Sequence, residues 1–272
     1  DLYLRVAPEL YLKRLLVGGM ERVFEINRNF RNEGIDRQHN PEFTTLELYQ
    51  AYADYGDMME LAEALIRALA LKFGEAGRLP FGDVEIDYAS PFRRVSYLGA
   101  FEEASGFPGQ DLGRVRQRAR ELGIDEAGLG DELVLDRVFE RTVEEHTVQP
   151  TFIMDYPAAL CPLTKPKADD PRLAERWDLI IGGMEIGVAY SELNDPQLQE
   201  QKFLEQLKGQ DEQEATLRTV DRDFLRALAY GMPPAGGMGL GVDRLVMLMT
   251  NQTAIREVIL FPLLRPLEGE RS

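Results

Sequence analysis

Fourteen residues at positions 30–43, "FRNEGIDRQHNPEF", hold two arginines, two glutamates, an aspartate and a histidine between two phenylalanines, punctuated by Gly34 and Pro41. A guanidinium at a strand end, Arg31, can bridge a carboxylate and a phosphate and stabilise charge there. A solvated loop with a strand-end surface arginine has the same composition. Near the other end, "GGMGLGVDR" (236–244) sets glycines before a helix. A dinucleotide fingerprint would follow the first strand of a βαβ unit, with an acidic residue about twenty positions on. This stretch comes late in a chain with an antiparallel pattern. A flat strand fits better: Gly237, Gly239 and Gly241 leave one face bare, so that a ligand can lie against the backbone. Close helix packing is the alternative. His39 and His146 lie far apart in sequence and Cys161 is the single cysteine, so no zinc cage is expected.

The elements that must position these residues follow from periodicity. Residues 2–8, "LYLRVAP", read as a strand and 9–19 as a short helix closed by a glycine pair. Residues 22–31 alternate Val23, Glu25, Asn27 against Phe24, Ile26, Arg28, the pattern of a half-buried strand. Residues 44–53 share the period of two. The polar loop therefore connects two antiparallel strands. Residues 57–73 form an amphipathic helix, and 95–148 read as a helical, acidic insertion. Strands return at 151–157 and 176–195, the latter a hairpin over Gly182-Gly183; helices follow at 196–207 and around 221–230, before the glycine-rich strand and its helix at 235–250. The fold class is α+β on an antiparallel sheet.

Length and charge set the bounds. The 272 residues, 44% of them hydrophobic, can bury a sizeable core. No run of apolar residues is long enough to span a membrane, and no signal-like start is present. The chain starts at Asp1 rather than Met and is expected to be a piece of a longer protein. One cysteine excludes an internal disulfide and suits a reducing cytosol, so a cytoplasmic location is expected. The net charge of −16 argues against a general nucleic-acid binder. Residues 1–40 nonetheless hold seven Lys/Arg against six Asp/Glu, so they sum to +1 and the remainder carries −17. A nucleic-acid partner meeting one face stays compatible with this balance.

Arg31 in "FRNE", the loop to "HNPEF" and the terminal "GLGVDR" resemble motifs 2 and 3 of class II aminoacyl-tRNA synthetases. "APELYLKRLLVGGMERVFEINRNFRNEG", "HNPEFTTLELYQAYADY", "QPTFIMDYP", "SELND" and "GMPPAGGMGLGVDRLVML" resemble the lysyl-tRNA synthetase family, along nearly the whole chain and most weakly across the helical insertion. The resemblance implies the class II antiparallel sheet flanked by helices, and an enzyme that joins lysine to ATP and passes the lysyl group to tRNA(Lys). It implies ATP contacts at Arg31, Glu33, His39, Phe43, Gly241 and Arg244, with Arg31 on the reacting phosphate and Phe43 and Arg244 on the two faces of the adenine. It implies lysine contacts at Glu9, Glu47, Tyr49, Val188, Tyr190, Glu192 and Gly239, with Glu9 on the α-amino group and Tyr49 and Glu192 on the ε-ammonium. Asp178 and Glu185 become magnesium ligands, hard oxygen donors suited to that ion.

The sequence departs from the family pattern in three respects. The helix and strand of motif 1, which build the family's homodimer interface, and the N-terminal anticodon-binding β-barrel are expected upstream of residue 1. Third, the family places Asn, a donor to the lysine carboxylate, where this chain has Val188. A smaller difference is Gln38 before His39, where many relatives have Arg. Two other functions stay open: a lysyltransferase acting on elongation factor P, which carries a bulkier residue at the equivalent of Gly239, and a non-catalytic paralogue that binds lysine or ATP.

Overall fold

A computed structural model describes residues 2–207 and 220–264. Its centre is a seven-stranded sheet. Strands β1 (Arg22–Phe30) and β2 (Glu42–Ala51) pair antiparallel, and β2 then pairs with the last strand, β9 (Ala235–Gly241). Beyond β9 the order continues through β8 (Met184–Ser191), β7 (Leu173–Ile181), β6 (Thr151–Pro157) and β5 (Arg93–Ser96). Only the β5–β6 pair is parallel. A separate two-stranded ribbon joins β3 (Arg78–Phe81) to β4 (Val84–Asp87).

From β2 to β6 one face of the sheet is packed dry. Helix α2 (Tyr55–Phe73) lays Met58, Met59, Ala62, Ile66 and Ala70 against Trp177, Leu179, Ile181 and Met238, with Leu245 and Leu248 of α8 (Val242–Thr250) beside them. Trp177 is fully buried and donates its indole N–H to the Tyr55 carbonyl at 2.7 Å, which satisfies its one polar atom. The opposite face is covered only at its two ends. At the β6–β7 end, α3 (Tyr97–Ser105), α4 (Leu112–Glu121) and α5 (Asp131–Thr142) pack on Ile153, Tyr156, Ala174 and Ile180. At the β2–β9 end, Leu12 and Leu16 of α1 (Glu9–Val17) meet Tyr49, Ala235 and the Phe224 and Leu228 of α7 (Arg222–Ala229). Helix α6 (Pro196–Leu207) lies beside α7. The uncovered middle, over β2, β9 and β8, is the cleft.

Two local devices aim residues at it. Gly182 and Gly183 form a two-residue β7–β8 turn with φ of +63° and +72°, the left-handed pair that matches strand twist. Within β8, Leu179 faces Gly187 but Ile180 faces Glu185, so Ile186 is an extra residue. This bulge switches the alternation. Ile186 and Ala189 both enter the core on one side, while Glu185, Val188 and Tyr190 all face the cleft. Gly187 is required there because a Cβ would collide with Leu240 and the Gly239 carbonyl.

The architecture is the expected α+β class, with one correction. Residues 2–8 form no strand; their backbone touches the sheet through Phe30 N–H donating to the Arg5 carbonyl, and Leu2, Tyr3 and Leu4 stand exposed. In the half-buried strand β1 the apolar side chains are the outer ones. Phe24 and Ile26 are 71% and 59% exposed, whereas Asn27 and Asn29 are buried, Asn29 donating to Thr45 Oγ1. Among the described residues no helix is long and apolar enough to cross a membrane.

Helix α2 starts on a reciprocal cap. The Asp54 carboxylate accepts from the Gly56 and Asp57 N–H groups, and the Asp57 carboxylate accepts from the Asp54 N–H. Asp54→Ala is expected to lower stability by about 1 kcal/mol in urea unfolding. An unchanged midpoint would mean that packing alone fixes this helix start.

Candidate functional site

The cleft has a volume of about 1090 Å³. Its roof is the 31–41 loop, whose shape is set by Asp36. That carboxylate accepts from the Gln38 and His39 N–H groups at 2.7 Å and contacts His39 Nδ1 at 2.9 Å. Partial burial works to raise its pKa, but these hydrogen bonds outweigh it and hold Asp36 below the usual carboxylate range. The loop is tied down twice more: Arg31 N–H donates to the Pro41 carbonyl, and Ile255 N–H to the Arg37 carbonyl.

Arg244, from the first turn of α8, staples this loop to β8. It donates to the Glu185 carbonyl at 2.6 Å and the Gln38 carbonyl at 3.4 Å, and lies 3.1 Å from His39 Nε2. The face of the Phe43 ring is taken by Arg31, whose guanidinium lies 5.1 Å from the centroid, with its Nε donating to the Val6 carbonyl. Glu33 stands 3.9 Å from His39 Nε2.

The deep end is acidic. Glu9 of α1, Glu47 and Tyr49 of β2, and Tyr190 of β8 line it; Glu192 lies just behind, fully buried. Tyr49 donates to Glu47 Oε2 at 3.3 Å. Burial, then the negative charge of Glu9, push Glu47 up to about 7, against the pull of Tyr49, Arg31 and Lys13. Burial likewise raises Glu192, with Lys13 opposing and Glu9 and Glu47 adding to it. Lys13, a buried cation on α1, lies 2.6 Å from Glu9 and 2.5 Å from Glu192.

A second acidic wall faces Glu185. Glu140, Glu144 and Glu145 come from α5 and the turn after it. Burial and the charges of Glu185 and Asp178 push Glu144 up to about 8. Glu185 is itself raised, by burial and then by Asp178, with Arg244, Arg176 and Arg31 opposing. Asp178 sits behind this wall and outside the cleft lining. Both its oxygens are taken by Arg176, at 2.7 and 2.6 Å. Among the described residues no group of three or more His, Cys, Asp or Glu side chains could hold a metal ion.

Thirteen of the fifteen residues singled out in the sequence line this one cleft, and Glu192 and Asp178 lie just behind it. The glycine row needs correction. At Gly239 and Gly241 a Cβ would meet only ordinary contacts, Glu47 Cγ at 3.8 Å and Arg244 Cβ at 3.7 Å. Gly237 is covered instead, because Glu192 and Tyr49 lie directly on its Cα. Sequence reasoning missed Lys13, Asp36, Arg176 and Glu144. Lys13 had a signal: a lysine between Leu12 and Leu16 on the buried stripe of a helix, four residues after a glutamate.

This sheet, with an arginine-bearing loop at one end of its cleft and buried carboxylates at the other, belongs to a chain with known relatives. Residues 1–265 match the family model for tRNA synthetases class II (D, K and N). The chain belongs to this family. Relatives named lysine--tRNA ligase are 50% identical over 277 residues in Pelotomaculum thermopropionicum, covering 98% of this chain and 54% of the relative. In Roseiflexus castenholzii the identity is 52% over 274 residues, with shares of 98% and 56%. In Aquifex aeolicus it is 48% over 271 residues, with shares of 98% and 45%. The chain thus spans about half the length of the curated relatives it matches.

The raised Glu47 carboxyl has a consequence for stability in this class II domain. Between about pH 4.5 and 7 the folded state keeps a proton on Glu47 that the unfolded chain has released, so Glu47 lowers stability as pH rises through that window. Glu47→Gln is therefore expected to stabilise at pH 8, on the order of 1–3 kcal/mol, and to change little at pH 4.5. Urea unfolding at both pH values reads the difference. Equal effects at the two would place the substitution's influence in packing, not charge.

Proposed function

We propose that this chain is the catalytic region of a lysine–tRNA ligase, which forms lysyl-adenylate from lysine and ATP and then transfers the lysyl group to tRNA(Lys). The observation that carries this is the pairing, in one cleft, of Arg31 and Arg244 at the loop end with Glu9, Glu47, Tyr49 and Glu192 at the deep end. Guanidinium groups attract a triphosphate, and buried carboxylates select an ammonium side chain over shorter or neutral ones. The names of the relatives agree with this reading.

The lysine carboxylate is its own nucleophile. Its oxygen attacks the α-phosphorus, the bond to the β-phosphate oxygen breaks, and pyrophosphate leaves. A terminal ribose hydroxyl of tRNA then attacks the lysyl carbonyl, loses its proton, and AMP leaves. The protein positions the groups and neutralises charge. Arg31 leaves the Phe43 ring to bridge carboxylate and α-phosphate, and the purine takes its place between Phe43 and Arg244. Glu33 orients the loop or accepts from the adenine amine, His39 contacts the triphosphate, and Gly239 and Gly241 let the ligands lie on the β9 backbone. Tyr190 and Val188 line the amino-acid side.

Glu185 fits a magnesium ion: it lines the cleft and its carboxylate is pressed by the negative charge of Asp178 with only partial relief from arginines. Asp178 would join it on release from Arg176. Magnesium, when bound, supplies positive charge on the triphosphate oxygens. The apolar residues left exposed on β1 and the segment before α1, Leu2, Leu4, Phe24 and Ile26, support a homodimer interface on this edge. A cytoplasmic location follows from such an activity.

The test is lysine-dependent exchange of pyrophosphate into ATP, on this chain and on a version extended upstream. Arg31→Ala is expected to lower the exchange rate roughly hundred- to thousand-fold with the fold intact. Near-normal turnover would remove Arg31 from the reaction.

Val188 supports a second reading, a non-catalytic paralogue, because valine cannot donate to the lysine carboxylate. Under the ligase reading, Arg31 or a water replaces that bond, and Val188→Asn should tighten lysine roughly tenfold or more, with ATP unchanged. Calorimetry with each ligand checks this. Unchanged or weaker lysine binding would favour the paralogue.

A further inference from the structure

Lys13 has no exposed surface, a rare state for a lysine, and it stands among three carboxylates from three elements: Glu9 of α1, Glu47 of β2 and Glu192 after β8. Its Nζ takes one oxygen of Glu9 and one of Glu192, and lies 5.9 Å from the Tyr49 ring centroid. Among the described residues, both oxygens of Glu192 are buried without a hydrogen-bond partner; Oε2 has its ion contact with Lys13, and Oε1 lies against Gly237 with no cation beside it. A wholly buried carboxylate oxygen without a donor is costly unless a ligand supplies one.

We propose that Lys13 is the positioning and selectivity residue that adapts this pocket to a substrate with two ammonium groups. The inference rests on the reading of the site as a lysine pocket. Three carboxylates and one buried ammonium leave two negative charges uncompensated, the number that a diamino acid brings as two ammonium groups while its carboxylate meets Arg31. Lys13 also fixes which oxygen of Glu192 is open. With Oε2 in ion contact with Lys13, Oε1 is the oxygen without a cation and the acceptor for an incoming ε-ammonium, while Glu9 is held by the same nitrogen from the α-amino side. Without Lys13, three carboxylates would share a dry site with no internal cation, and one would be protonated and lost as an acceptor.

Lysine-dependent pyrophosphate exchange by the protein tests this, with KM for lysine, KM for ATP and kcat measured separately and thermal unfolding as the fold control. Lys13→Met keeps the length and removes the charge. The lysine KM is expected to rise about tenfold or more, with the ATP KM and kcat within about twofold, the signature of lost substrate binding. Lys13→Gln, which retains a donor but no charge, should give the same rise.

An unchanged lysine KM in Lys13→Met, or equal losses for lysine and ATP, would each overturn the proposal. Failure of every variant to fold would assign Lys13 to folding alone, which also overturns it. A wild-type protein without lysine-dependent exchange would instead sink the ligase reading on which the inference stands.

Discussion

Carboxylates taken out of water side by side repel one another, and the architecture around the cleft is organised by that constraint. Several of these acidic groups are met by a buried or half-buried cation. Lys13 of α1 stands between Glu9 and Glu192, and Arg176 of β7 grips Asp178. Arg176 is in turn sandwiched, 4.3 Å from the Tyr156 ring centroid and 5.9 Å from that of Tyr190. Such pairs hold only if the backbones that carry them do not drift, because the attraction that offsets desolvation depends on good geometry. The α2–α8 layer under the sheet supplies that rigidity.

The extra residue in β8 shows how little backbone change is needed to build the site. A regular strand would place Glu185 on the face of Gly187 and Ala189, opposite Val188 and Tyr190. The bulge at Ile186 brings all three cleft residues to one side while Ile186 itself fills the core. Both ends of the substrate cleft are thereby served by one strand, with Arg244 of α8 anchored on its Glu185 carbonyl.

Much of this was legible in the sequence, for identifiable reasons. Strands β1, β2, β6 and the β7–β8 hairpin have enough residues to show a period of two, and the Gly182-Gly183 pair names its own turn. The loop at 31–41 was legible because its chemistry is contiguous. Strands of four residues, β3, β4 and β5, are too short for periodicity to register. Residues 2–8 read like a strand but find only one backbone–backbone bond to the sheet. Which face of β1 is buried could not be seen, since burial of Asn27 and Asn29 depends on what covers that face and apolar Phe24 and Ile26 are left outside. Lys13, Arg176 and Glu144 were missed because their significance is a matter of neighbours from distant parts of the chain. The same holds for Gly237, whose bare face is claimed by Glu192 and Tyr49 and not by a ligand.

The sheet order has a consequence for how the molecule comes into being. β2, at residues 42–51, is inserted next to β9, at residues 235–241. The contacts that close the cleft therefore join segments separated by most of the chain, and loop-closure entropy must be met before they form. During synthesis the β1–β2 ribbon emerges well before β9 and waits for its second neighbour until that strand has been made. In that interval the glycine-poor β2 edge stands unpaired. The edge of β2 that will bear Glu47 and Tyr49 is thus a site where a nascent chain is vulnerable to strand pairing with another copy. Docking of β9, the segment with the fewest side chains to offer, is the event that ends that exposure and creates the ligand-binding floor in a single step.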